Sequence, residues 1–196
     1  MCCGRNQVTY NKVQLIDLIC QYLSENIVDN QNKLEISGKK PTPVQVWNNS
    51  TVQRLDLKIH QEEADVIIIH HLVCIVSGVS NDAHIKVICD DTDVFILLIH
   101  FYNKEHMVVN ISMENPSSGR TIVDICQTAK KHKGIARYLT AVHALTGCDT
   151  ASYLFGIGKA TALKVLMGGK HLTLLGQLGA DEADMITEAT ASIAAW

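Results

Sequence analysis

The sequence predicts an α/β fold, an open sheet whose strands alternate with helices, followed by an appended helical region. Three observations carry this. An apolar run at 84–89 reads as a buried strand and passes through an acidic turn into the apolar segment 94–101. A second strand pattern follows at 107–113. From Thr121 onward the apolar spacing becomes helical and stays so.

Residues 11–26 carry Val13, Ile16, Ile19, Cys20 and Leu23 at helical spacing, which predicts an amphipathic helix ending at Asn26. Short β-rich runs at 33–37 and 44–47 are separated by Gly38, Pro41 and Pro43, residues that enforce a turn or an extended link. Glu62 and Glu63 precede the apolar run 66–76, and acids in a first turn complement the positive end of a helix dipole. After the βα succession at 84–101 and the strand at 107–113, Asn115-Pro116-Ser117-Ser118-Gly119 predicts a loop. Helices are expected at 122–131, 134–145, 161–167 and 180–195.

A chain of 196 residues with 47% hydrophobic content is long and apolar enough to bury a core, and one globular domain over 1–196 is expected. Its longest apolar stretch, 94–102, is interrupted by His100 and is shorter than the ~20 residues of a membrane span. No secretory leader pattern opens the chain, so the expected setting is intracellular. The nucleus is placed ahead of the cytoplasm, and no membrane partner is expected. Seven cysteines, an odd number lying mostly within apolar patterns, read as free thiols. The formal charge of −3 argues against coating nucleic acid through an overall positive field and leaves room for a local basic patch.

The chemistry-bearing residues are carboxylates. Asp91 and Asp93 follow a predicted buried strand, where open α/β sheets gather ligands. At a strand end or turn both can face one side, and their repulsion then calls for a cation such as Mg²⁺ or Mn²⁺. Glu63 and Asp65 repeat the spacing at a helix entry. Taken pair by pair, the plainer reading is first-turn acids and an N-cap in a solvated turn. Histidine and cysteine offer a zinc alternative, with His70 and Cys74 four apart and Cys89 closing the strand, but no paired Cys-x-x-Cys or His-x-x-x-His supports it over buried core residues. His143 reads as a packing residue and is assigned no role.

Thr146-Gly147-Cys148-Asp149, followed by Phe155-Gly156-Ile157-Gly158-Lys159 and a helix, resembles the stretch of flap endonucleases and related PIN-like nucleases in which a Gly-x-Asp metal ligand leads into a Gly-Ile-Gly hairpin. The order agrees as well. Glu63-Ala64-Asp65, Asp91-Thr92-Asp93 and Gly147-Cys148-Asp149 occur in the family's sequence, over roughly residues 61–166. The chain also resembles uncharacterised animal proteins with Glu-Glu-Ala-Asp, Asp-Asp-Thr-Asp-Val and His-Ala-Leu-Thr-Gly-Cys-Asp segments, some associated with mobile elements.

The resemblance implies a PIN-like, mainly parallel sheet flanked by helices, with a helix-hairpin-helix-like part at 134–178. It implies Mg²⁺- or Mn²⁺-dependent hydrolysis of phosphodiesters in DNA or RNA, DNA ahead of RNA, by a two-metal mechanism. Asp91, Asp93 and Asp149 are its implied catalytic ligands, with Glu63 and Asp65 completing the metal shell. Gly156, Ile157, Gly158, Lys159 and Lys164 are the implied nucleic-acid contacts, for which exposed amides and a helix N-terminus supply a physical reason. Two departures stand out. The family's Asp on the first strand has no clear equivalent, Asp17, Asp29 and Asp56 being out of place, so the chain resembles a domain without its opening strand. Ala160 and Thr161 stand where family hairpins carry proline and basic residues, which implies a weaker grip. The alternative function is a catalytically inactive nuclease-like module that binds nucleic acid or a protein partner.

Overall fold

The computed structural model describes residues 3–26, 32–38, 40–48, 50–60, 63–117, 119, 121–147, 158–169, 172–177 and 179–195. It is mixed α/β and divides into two compact units, residues 1–75 and 76–196.

The N-terminal unit opens with α1 (Cys3–Asn26). Its stripe of Val13, Ile16, Cys20 and Leu23 is half-buried, while Leu15, Leu18, Ile19 and Tyr22 are exposed. Strands β1 (Leu34–Ile36), β2 (Val44–Trp47) and β3 (Ser50–Gln53) form an antiparallel sheet in that order. Gly38 lies against α1, where an added Cβ would come within 2.9 Å of the Cys20 Sγ. A 3-10 turn at Leu55–Leu57 buries Leu57 completely, and α2 (Ala64–Val76) buries Ile69 and Leu72. Arg54 ties the turn to the sheet through Glu35 and Asp56, and the Asp56 hydrogen bond in particular raises the guanidinium pKa.

The C-terminal unit contains the βα succession that the sequence predicts. Strand β4 (His84–Ile88) leads into α3 (Thr92–Lys104) and then β5 (Asn110–Glu114), and the two strands pair in parallel with Ile85 opposite Ile111. Such a pair needs a crossover, which α3 supplies. The strand expected at 107–113 begins three residues later, at Asn110, because Met107 still bonds the end of α3 and His106 turns the chain at φ 50°. Residues 122–131 are not one helix. Strand β6 (Ile122–Asp124) pairs antiparallel with β5 before α4 (Ile125–Lys131) begins, and Asp124 ends the strand by capping the helix through the Gln127 N–H at 2.8 Å. Among the described residues, one strand pair is parallel and three are antiparallel.

The expected helix at 134–145 is likewise divided, into α5 (Lys133–Ala136) and α6 (Leu139–Leu145). Helix α7 (Lys159–Met167) and α8 (Glu182–Ala194) complete the chain. The core is built on α3, whose Val94, Leu98, Ile99 and Tyr102 recur at helical spacing and are all buried. Ile111 of β5, Ile125 and Ala129 of α4, and Leu139 and Val142 of α6 are buried in the same unit. Each fully buried aliphatic side chain contributes about 1.5–3 kcal/mol over an exposed one, so the two ends of α3 are held on a rigid element.

A candidate acid site at the carboxyl end of β4

The chain leaves β4 through Cys89, whose N–H donates to the Glu114 carbonyl at 3.0 Å, and enters the acidic turn at once. Asp91 has extended backbone (φ −82°, ψ 129°) and is the N-cap of α3, its carboxylate accepting the Asp93 N–H at 2.8 Å. Asp90 accepts from the Ser117 hydroxyl at 3.0 Å, which links the turn to the loop after β5. Asp93, in the first turn of α3, meets the His143 Nε2 at 2.6 Å. An ionised carboxylate only accepts, so the His143 N–H donates. Both side chains are largely covered, with 11% of His143 and 23% of Asp93 exposed. Glu114 at the end of β5 adds a further acid, paired with Lys86 at 3.0 Å.

His143 is the residue sequence reasoning passed over. It stands on α6 beside buried Leu139 and Val142, one turn before Gly147, where the chain adopts φ 97° and leaves the helix. Its one sequence signal is position. It is the only side chain of α6 able to carry charge, and it leads directly into the Gly-x-Asp segment.

The remaining predicted residues are distributed otherwise. Glu63 and Asp65 belong to the N-terminal unit. The Glu63 carbonyl accepts the Ile67 N–H at 3.1 Å in the first turn of α2, and the Asp65 carboxylate accepts the Val66 N–H at 2.8 Å. Asp149, Gly156 and Ile157 lie outside the described residues. Gly158 caps α7, its carbonyl accepting from Thr161 and Ala162, but at φ −91° with nothing within 4 Å of an added Cβ it adopts a conformation open to any residue. Lys159 and Lys164 are both exposed on α7, five residues apart and therefore roughly 140° apart around the helix, so they do not share a face. Asp17 is on α1, and Asp56 is held below its usual range by the hydrogen bond from Arg54.

The donor chemistry of Asp91 and Asp93 suits a hard divalent cation. Each, however, commits one oxygen to the fold. Among the described residues no group of three or more His, Cys, Asp or Glu side chains is arranged to hold a metal ion, and these residues alone do not make an ion site. His70 and Cys74 do approach each other at 3.9 Å, with no third ligand among the described residues. Two concavities, of about 600 and 650 Å³, lie elsewhere, and neither is lined by Asp91, Asp93 or His143. Among the described residues no helix is long and apolar enough to cross a membrane.

No protein-family model matches the chain, and no curated protein and no solved structure matches it either.

Proposed function

We propose that the chain is a nuclease-like module with a PIN-like fold, whose activity is Mg²⁺- or Mn²⁺-dependent hydrolysis of phosphodiesters, in DNA ahead of RNA. The observation that carries this reading is the union of two segments far apart in sequence. The acid turn lies at the carboxyl end of β4 in a β-α-β unit, where ligands gather in open α/β sheets. Its Asp93 is bonded to His143, on the helix that runs into Gly147-Cys148-Asp149. In this reading Asp91, Asp93 and Asp149 are the central ligands. Gly156, Ile157, Gly158 and Lys159 contact phosphate within a helix-hairpin-helix-like part.

A second reading has its own observation. Asp91 and Asp93 each have an evident structural task, as a helix cap and as an ion-pair partner, and no three-donor group occurs among the described residues. This supports a non-hydrolysing nuclease-like module that binds nucleic acid or a protein partner.

Asp91→Asn separates the two, because asparagine caps a helix about as well as aspartate while removing the charge. Branched and single-stranded DNA would be incubated with the protein and Mg²⁺ or Mn²⁺. Cleavage by the parent chain that disappears in Asp91→Asn supports hydrolysis, whereas cleavage of equal rate in both removes Asp91 from it. Salt-sensitive binding without cleavage, weakened in Lys159→Ala, supports the second reading.

A further inference from the structure

The concavity of about 650 Å³ in the C-terminal unit has a composition that neither the acid turn nor the hairpin explains. It lies at the far end of α3, where Lys104 is about 18 Å along the axis from Thr92, at ~1.5 Å per residue. Its described lining includes Lys104, Lys133, Arg137, His100 and His106, and not one carboxylate. Among the described residues none of Lys104, Lys133 and Arg137 forms a salt bridge.

The local geometry keeps these cations in place. Lys104 lies over the Phe101 ring at 5.0 Å and Arg137 over the buried Tyr138 ring at 4.5 Å. His100 has its Nδ1 3.4 Å from the Ala136 carbonyl, and Asn103 donates to the carbonyls of Ile99 and Ala129 at 3.1 and 3.2 Å, fixing the end of α3 against α4 and α5. Glu188, which is not part of the described lining, accepts the N–H groups of Thr173 and Leu174 at 2.7 and 2.8 Å. Lys104 answers the negative C-terminal end of α3, and Lys133 directly follows the C-terminal end of α4 at His132. Like charges converging on a concave surface repel one another, and a bound anion relieves that repulsion and is in turn concentrated by the field.

We infer that this cleft binds a free, phosphate-bearing ligand of about nucleotide size, through Lys104, Lys133 and Arg137. The volume suits a small ligand. Arginine grips phosphate oxygens in pairs and lysine adds point charge.

The test is calorimetric titration of the full chain with inorganic tripolyphosphate at moderate ionic strength. One-to-one saturable binding is expected, weakened about tenfold or more in the Lys104→Gln/Arg137→Gln double variant and in Lys133→Glu, whose side chain is exposed. Lys58→Gln, in the other unit, should leave affinity unchanged. Absence of saturation, equal affinity in the cleft variants, or an equal loss in Lys58→Gln overturns the assignment. Displacement of tripolyphosphate by ATP and not by adenosine supports a free phosphorylated ligand. Displacement by a short DNA strand alone overturns it in favour of a strand phosphate. Asp91→Asn should bind tripolyphosphate normally, so this site and the acid turn stand or fall separately.

Discussion

The His143 Nε2 lies 2.6 Å from an Asp93 carboxylate oxygen, closing a contact between residues fifty apart in sequence. It joins α6 to the first turn of α3 across a partly covered interface, and hydrogen bonds to charged groups contribute about 1.5–3 kcal/mol. His143→Ala should therefore lower the urea midpoint of the C-terminal unit, by a loss of about 1–2 kcal/mol. His143→Gln, which retains a donor near the same position, should recover part of it. Equal midpoints for His143→Ala and the parent would mean that the pair contributes no net stability.

Asp91 allows stability and charge to be separated. Asp91→Ala removes the cap of α3 and should cost about 0.5–2 kcal/mol, while Asp91→Asn should cost a few tenths at most. Thermal unfolding followed by circular dichroism resolves the difference. If Asn proves as costly as Ala, the carboxylate charge matters to the fold beyond capping.

Tyr102 and Cys126 form a buried pair, the phenol donating to the Cys126 Sγ at 2.8 Å. Burial first, and then the bond to Cys126, push the phenol well above its ordinary range. Tyr102 should accordingly remain protonated in an alkaline absorbance titration until the unit unfolds, after which it ionises with the exposed tyrosines. Tyr102→Phe should destabilise by about 1 kcal/mol. An early, reversible ionisation assigned to Tyr102 would contradict its burial.

Two imidazoles give the stability a direction with pH. Burial lowers the pKa of His71, helped by the neighbouring His70 and Arg54. Burial also lowers that of His100, with the Ala136 carbonyl and Glu105 opposing and Lys104 reinforcing it. Both folded sites favour the neutral ring, so their stabilisation is complete above the unfolded value of about 6.5 and is lost as pH falls below it toward the lower folded values. Denaturant midpoints should decline across that window, and the decline should be shallower in His71→Gln for the N-terminal unit and in His100→Gln for the C-terminal one. Parallel pH profiles for variant and parent would show that these rings do not set the slope.

Much of the secondary structure is legible in the residues, and the exceptions have physical reasons. Strand β2 and the end of α1 at Asn26 occur where alternation and a polar stop place them. Strand β3, Ser-Thr-Val-Gln, is exposed throughout and gives no alternation, because its pairing with β2 is a matter of backbone hydrogen bonds. Ile122-Val123 reads as part of a helix because the apolar run continues into α4, and Asp124 is both the strand's last residue and the helix cap. At the acid turn, the capping role of Asp91 follows from local sequence. The His143 partnership does not, since a contact between two distant segments is created by the packing of α3 on α6 and leaves no periodic trace.

In its own sheet β4 has a described strand partner on one side only, β5. Among the described residues its other side pairs with no strand, and a strand side of that kind presents backbone donors and acceptors that recruit further strands. Lys86 at the middle of β4 is 47% exposed, and its ammonium group, shared with Glu114, is the charge that discourages indiscriminate pairing there. Neutralising Lys86 would remove a charge that opposes such pairing while leaving the buried side chains of the core untouched.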